Sequence, residues 1–109
     1  MTSIHKNSNI ITLINIFTVD PQNQQRLVDM LVDITQQIMN MQEGFISTKI
    51  HKSLDGTKVA NYTQWENRDV FEKMLNNPKV IVNMNDILNI ANSDGSLYNV
   101  VFTEEKSQS

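Results

Sequence analysis

Residues 44–66, GFISTKIHKSLDGTKVANYTQWE, constrain the fold more than any other stretch. Two runs rich in β-branched and aromatic residues, 45–53 and 57–65, flank Asp55-Gly56. An Asp-Gly pair between such runs predicts a β-hairpin with a two-residue type I′ turn, which needs positive φ at both central positions. The register follows from the turn: Leu54 opposite Thr57, Ile50 opposite Asn61, Ile46 opposite Trp65. Period-two alternation then sorts the side chains onto two faces. One face carries Ile46, Thr48, Ile50, Lys52, Val59, Asn61, Thr63 and Trp65, and the other Phe45, Ser47, Lys49, His51, Ala60, Tyr62 and Gln64. The first is apolar apart from two threonines, a lysine, an amide and an indole N–H. The second is polar but includes Phe45, Tyr62 and His51, so neither face suits bulk water.

The flanking sequence supplies the partners. Residues 1–9 are polar and read as a flexible arm. Residues 10–19, IITLINIFTV, are a continuous apolar run suited to a strand covered on both faces. Asp20 is placed to cap a helix that Pro21 opens, and Leu27, Met30, Leu31, Ile34, Ile38 and Met41 follow at helical spacing. After the hairpin, Asn67 caps a short helix over residues 68–76, which Asn77-Pro78 ends. Helical spacing resumes over 79–91, residues 92–95 (NSDG) predict a turn, 97–103 (LYNVVFT) a strand, and 104–109 a disordered tail. The order strand, helix, strand, strand, broken helix, strand is the α+β, ferredoxin-like βαββαβ pattern over one domain, residues 10–103. It predicts a four-stranded antiparallel sheet with helices on one face only. The bare face, with Phe45, Ala60, Tyr62, Tyr98 and Phe102, predicts a homodimer packed sheet against sheet.

Composition excludes whole classes of function. At 109 residues, 39% hydrophobic, the chain builds one modest core. Without cysteine there is no thiolate chemistry and no disulfide. A net charge of −3, with basic residues scattered singly, offers no surface for nucleic acid. No apolar run approaches the ~20 residues of a membrane span, and the polar N-terminus lacks a signal-peptide core, so a cytoplasmic protein is expected. The two histidines, His5 and His51, stand far apart in sequence and give no metal-ligand spacing. Asp29 and Asp33 lie on the polar side of their helix and read as solvated. His51 reads either as a structural histidine at the dimer interface or as a proton shuttle.

Asn15, Asn61 and Trp65 remain. Asn61 and Trp65 are four apart on one strand and so point the same way, about 13 Å apart along it. A buried amide or indole N–H without a partner costs ~1–3 kcal/mol. Both side chains are either satisfied within an ordinary core or aimed into a small cavity. In the second case the cavity wall is Leu13, Phe17, Ile46, Ile50, Phe71, Met74, Leu75 and Met84, and the composition suits a flat, mostly apolar ligand with one or two oxygens.

The runs ITLINIFTVDPQNQQRLVDML and GFISTKIHKSLDGTKVANYTQWENRDVFEKMLNNP resemble the antibiotic biosynthesis monooxygenase family, from about residue 12 to residue 78. The resemblance implies a dimeric α+β barrel. It also implies oxidation of a small electron-rich phenol or quinol by O₂, with no metal and no flavin. The asparagine and tryptophan of the family's NYxQW motif fall on Asn61 and Trp65, which are then the catalytic pair, with Asn15, Phe17, Ile46, Ile50, Phe71, Met74 and Met84 as substrate-binding residues. The chain departs from the polyketide-oxidising branch at Phe71 and Met84, where those relatives carry a tyrosine and an arginine. In the heme-degrading branch Asn15 has a counterpart, but Met74 and Met84 replace a tryptophan and the iron-ligating histidine. Binding without turnover, by a small-molecule carrier on the same fold, is the other function open to this sequence.

Overall fold

The computed structural model describes residues 9–107, so the first eight residues of the expected arm over 1–9 and the last two residues of the tail lie outside the described residues. Four strands, β1 (Ile11–Val19), β2 (Phe45–Lys52), β3 (Lys58–Trp65) and β4 (Ala91–Tyr98), form one antiparallel sheet in the order β2-β3-β1-β4. Helices α1 (Gln24–Gln37), α2 (Arg68–Leu75) and α3 (Pro78–Leu88) connect them in βαββαβ order. The fold is ferredoxin-like, as the spacing of elements predicts. The buried side chains Phe17, Val59 and Trp65 share a sheet face with Leu13, Asn15, Asn61 and Thr63, and they pack against Leu27, Leu31, Ile34, Val70, Met74 and Ile87 of the helices. The opposite sheet face carries Ile14, Ile16, Tyr62 and Tyr98, the last 49% exposed. Among the described residues, no helix is long and apolar enough to cross a membrane.

Local chemistry sets the helix ends. Asn67 accepts the Val70 N–H at 2.9 Å, and Asn77 accepts the Lys79 N–H at 2.9 Å with Pro78 in the first turn. Asp20 stands at its cap position, but its side chain makes no cap bond. A short 3₁₀ turn, Pro21–Asn23, intervenes before α1. The anchor of α1 is instead Gln24, which is buried and donates through Nε2 to the carbonyls of Lys58 (2.9 Å) and Ser53 (3.1 Å). It ties the helix to the turn end of the hairpin. At its other end α1 stops at Ile38, so Met41 leaves the predicted apolar stripe and is 76% exposed.

The hairpin keeps the predicted register at Ile50 and Asn61 but reaches it with a different turn. Ser53 N–H bonds to the Lys58 carbonyl and Gly56 N–H to the Ser53 carbonyl, closing a loop over residues 54–57. Among these only Gly56 has positive φ (83°), so Asp55 is not half of a type I′ turn. Its carboxylate instead accepts from Thr57 N–H (3.0 Å), Thr57 Oγ1 (2.7 Å) and Ser53 Oγ (2.8 Å). A second departure lies at the start of β2. A bulge between Phe45 and Ser47 sets Phe45, not Ile46, opposite Trp65. The extra residue turns the Phe45 ring inward onto the indole, at 5.6 Å and 81° between planes, and leaves Ile46 41% exposed.

The last strand begins six residues earlier than predicted. Residues 92–95 have turn-forming chemistry, yet they pair with β1 from Thr18↔Asn92 to Asn15↔Gly95, because β1 needs a partner along its whole second edge. The predicted helix over 79–91 accordingly ends at Leu88. Continuing the ladder beyond Asn99, which falls opposite Ile11, would require β1 to begin earlier. Val101 and Phe102 therefore lie outside the sheet, 92% and 74% exposed.

Two outcomes follow for stability. Gln24→Leu removes the buried donor to the hairpin, and the expected loss is ~1–2 kcal/mol, or a Tm lower by roughly 5–10 °C in calorimetry. The hydrogen bonds from Thr57 and Ser53 hold the Asp55 carboxyl down to about 2 from the ordinary 3.8. A depressed folded-state pKa stabilises above the unfolded value and is lost as pH falls through this window. In Asp55→Ala, Tm should therefore vary less than in wild type as pH falls from 3.8 to about 2.

Candidate functional site

Between sheet and helices lies a cavity of about 270 Å³. Its polar floor comes from the middle of the sheet: Asn15 on β1, Thr48 on β2, Asn61 and Thr63 on β3, Ser93 and Gly95 on β4. Its walls are mostly apolar: Leu13, Phe17, Phe45 and Trp65 from the sheet, Leu31, Ile34 and Thr35 from α1, Met39 beyond it, and Phe71, Met74, Leu75, Val80 and Met84 from α2 and α3. The exposed members of this lining, Leu75, Ser93 and Gly95, mark a mouth between α2 and the β4 edge. The cavity splits the core. One cluster centres on Phe17, Leu27, Leu31, Val59 and Ile87, and the other on Ile34, Trp65, Phe71, Met74 and Val80. Met84 packs against both.

Of the residues singled out from sequence, Asn61, Trp65, Asn15, Phe17, Phe71, Met74 and Met84 all line this one cavity. Ile46 and Ile50 do not. The bulge turns Ile46 out to solvent, and Ile50 packs against the cluster around Phe17 and Val59. His51 is exposed on the outer face of β2, away from the cavity, and Asp29 and Asp33 are exposed on α1. Sequence reasoning missed Phe45 as a lining residue, because nothing in the alternation announces a bulge. It also missed Ser93 and Gly95, which turn propensity hid. Their signal was the alternation Ala91, Ser93, Gly95, Leu97 on one strand face.

The polar groups are wired in a common way. Asn61 Oδ1 accepts from Thr48 Oγ1 at 2.8 Å and Thr63 Oγ1 at 3.2 Å, and the two hydroxyls lie 2.8 Å apart. Asn15 Oδ1 accepts from Ser93 Oγ at 2.8 Å. Among the described residues, neither asparagine's Nδ2 has a protein partner. Trp65 is fully buried, edge-on to Phe45 and to Phe71 (6.3 Å, 69°), and its Nε1–H is a buried donor with no acceptor. Such a donor costs ~1–3 kcal/mol unless something arrives to accept it. No acid, base, histidine or tyrosine lines the cavity, so the wall offers no carboxylate or imidazole to a metal. Elsewhere among the described residues no three His, Asp or Glu side chains gather into a possible metal site.

The profile of the antibiotic biosynthesis monooxygenase family matches residues 10–81. The chain belongs to that family. Tetracenomycin-F1 monooxygenase of Streptomyces glaucescens is 36% identical over 80 residues, spanning 73% of this chain and 71% of that protein. The fold is shared with the ActVA-Orf6 monooxygenase of Streptomyces coelicolor, solved with nanaomycin D (TM-score 0.81, 21% identity, 97% of this chain and all of that one). It is shared too with SnoaB, a cofactor-independent oxygenase of Streptomyces nogalater (TM-score 0.74, 19% identity, 90% of this chain and 99% of that one).

Trp65→Phe tests the orphan donor directly. It removes an unsatisfied N–H and some ring area, two effects of opposite sign and similar size. The ligand-free Tm should stay within about 5 °C of wild type. A drop beyond about 10 °C would mark the indole as ordinary core.

Proposed function

We propose that this protein is a cofactor-independent monooxygenase that oxidises a small, electron-rich phenol or quinol with O₂. The observation that carries the reading is a largely apolar cavity whose lining holds a buried donor without an acceptor, Trp65 Nε1, together with the side-chain amides of Asn61 and Asn15. Such a site matches a flat aromatic ligand bearing oxygen. Its volume, about 270 Å³, is at the low end for ligand pockets and limits the substrate to a few fused rings. The names of the relatives, two monooxygenases and an oxygenase described as cofactor-independent, support the same reaction class.

In this reading the ring supplies every electron. A phenol HO–Ar–H and O₂ give the quinone O=Ar=O and water. The phenolate passes one electron to O₂, the radical pair closes a C–O bond at the ring carbon, and water leaves as the second carbonyl forms. One oxygen atom enters the product and the other departs as water with both substrate hydrogens. Asn61 and Trp65 bind and polarise the phenolate oxygen, and the apolar walls exclude solvent from the radical pair. No lining residue can take the phenol proton, so the substrate surrenders it to water at the mouth. A carrier without turnover is the second reading, favoured by Phe71 and Met84, which contribute neither a hydroxyl nor a charge to the wall.

Oxygen uptake by metal-free and flavin-free protein, across a panel of phenols and quinols, separates the two. Consumption of O₂ with quinone formation is expected, reduced at least tenfold in Asn61→Ala and in Trp65→Phe. Ligand binding with no uptake across the panel would leave the carrier. The pH profile carries a further expectation. Because the cavity holds no titratable group, the acid limb of the rate should follow the substrate's own hydroxyl, moving about one pH unit for a phenol one unit more acidic.

We infer also that the outer sheet face, with Ile14, Ile16, Tyr62 and Tyr98, packs against a second copy of the chain, since no helix covers it. Light scattering at micromolar concentration should give twice the chain mass, and Tyr62→Asp should lower both the mass and Tm.

A further inference from the structure

Thr48 and Thr63 stand directly opposite each other on β2 and β3, on the sheet face that lines the cavity, and Asn61 lies two residues from Thr63 on the same face. Their three side-chain oxygens form a small triangle. Thr48 Oγ1 is 2.8 Å from Asn61 Oδ1 and 2.8 Å from Thr63 Oγ1, and Thr63 Oγ1 is 3.2 Å from Asn61 Oδ1. A hydroxyl carries one hydrogen and an amide oxygen none, so two protons serve three contacts. One side of the triangle therefore holds no proton. An empty 2.8 Å side would set lone pairs against each other at hydrogen-bond length. The 3.2 Å side exceeds the usual O–H···O range, so it is the one left empty. The direction of the other two bonds is then fixed. Thr63 donates to Thr48, and Thr48 donates to Asn61 Oδ1. Among the described residues, neither hydroxyl has a further hydrogen-bond partner.

We infer that this directed chain of hydroxyls sets which end of the Asn61 amide the ligand meets, with Thr48 and Thr63 as positioning residues that act through it. The oxygen and nitrogen ends of a carboxamide are nearly alike in shape, so packing alone does not choose between them. The chain ends on a proton, and a proton binds the oxygen end. With Oδ1 held by Thr48, the Nδ2–H end is the one left for a ligand oxygen. Bonds in such a chain polarise one another, by roughly 10–30% per link, so the hydroxyls also make the amide a stronger donor. Thr63 has a second part. It is buried and already within 3.2 Å of Asn61 Oδ1, so it can turn its proton to the amide if Thr48 is lost. One hydroxyl is the link and the other its reserve. This inference rests on reading the cavity as a phenol site with Asn61 at the phenol oxygen.

The experiment is binding of 1-naphthol without O₂, followed by the fluorescence of Trp65, with naphthalene as the ligand that has no oxygen. Thr63→Val should weaken naphthol less than twofold, because the bond from Thr48 to Asn61 remains. Thr48→Val should weaken it about threefold, with Thr63 donating over the longer distance. The double variant should lose about tenfold, as Asn61→Ala does, which is more than the product of the single losses. Thr48→Ser keeps the hydroxyl and should bind within about twofold of wild type. Naphthalene affinity should change less than about twofold throughout, since a merely structural loss weakens both ligands alike. Circular-dichroism melts confirm that each variant is folded. Equal losses in the two single valine variants, multiplying in the double one, overturn the directed chain. So does equal naphthol affinity in folded Thr48→Val and Thr48→Ser. A double variant that binds naphthol as wild type does, with Asn61→Ala weakened, overturns the positioning role and leaves the phenol site standing. The expected pattern without O₂ uptake upholds the chain while the oxygenase reading falls to the carrier. No naphthol binding by wild type overturns both.

Discussion

The structure turns on a pair of amides placed where a sheet would ordinarily be most apolar. Asn15 and Asn61 occupy opposed positions on the two central strands, facing the helices. Valine or isoleucine there would let one continuous core form beneath α1 and α3. With asparagine the core divides into a cluster around Phe17 and Leu27 and another around Trp65 and Met74, bridged by Met84. The two carboxamides line a cavity of about 270 Å³ between sheet and helices, where apolar packing is interrupted. Hydroxyls of Thr48, Thr63 and Ser93 satisfy the carbonyl halves and fix the side-chain rotamers. The buried donor left without an acceptor is Trp65 Nε1, a standing cost of ~1–3 kcal/mol.

The remaining architecture keeps this cost from collapsing the domain. Phe45 and Phe71 meet Trp65 edge-on from the sheet and from α2, so the indole is held by packing although its N–H is not held by a hydrogen bond. The bulge at Ile46 belongs to the same arrangement: without it Phe45 would face away and the indole would lose one of its two aromatic neighbours. Gln24 fastens α1 to the hairpin at the opposite end from the cavity, so the first cluster is braced independently of any ligand. Stability is concentrated around the site and withheld from its centre, which is the usual arrangement where function needs unsatisfied groups.

Much of this was legible in the sequence, and the failures have physical causes. Helical spacing and the apolar run of β1 were enough for the element order, and alternation about the hairpin was enough to put Asn61 and Trp65 on one face with Val59 and Thr63. The Asp-Gly pair misled about the turn: Asp55 prefers to accept three hydrogen bonds in a wider loop over adopting positive φ, yet the Ile50–Asn61 register is the same. Ile46 and Ile50 were read as wall because alternation knows nothing of a bulge or of which cluster a side chain joins. Local propensity also lost at β4, where Asn92, Ser93, Asp94 and Gly95 join a strand. An unpaired edge on β1 would leave backbone groups unsatisfied beside the core, a larger penalty than the weak strand preference of four small polar residues. That override is what brings Ser93 to Asn15.

The electrostatic character of the site follows from the same residues. Relatives of the polyketide-oxidising branch resemble this chain around Asn61 and Trp65, but Phe71 and Met84 leave the wall with neither a phenolic hydroxyl nor a cation. A cation would have held a phenolate by charge, at any orientation and with substantial desolvation on both partners. Neutral donors act over a shorter range and with stricter direction, so discrimination shifts from the charge of the ligand to the position of its oxygen. They also leave the proton unassigned, since no lining group titrates near neutrality. In the proposed reaction the acidity must then reside in the substrate, and the protein's part is to bind the ring and exclude water from it, in a cavity whose exposed lining residues are Leu75, Ser93 and Gly95. A site of this kind is built by removing chemistry from the protein, and neutral amides, hydroxyls and one indole N–H are what remains.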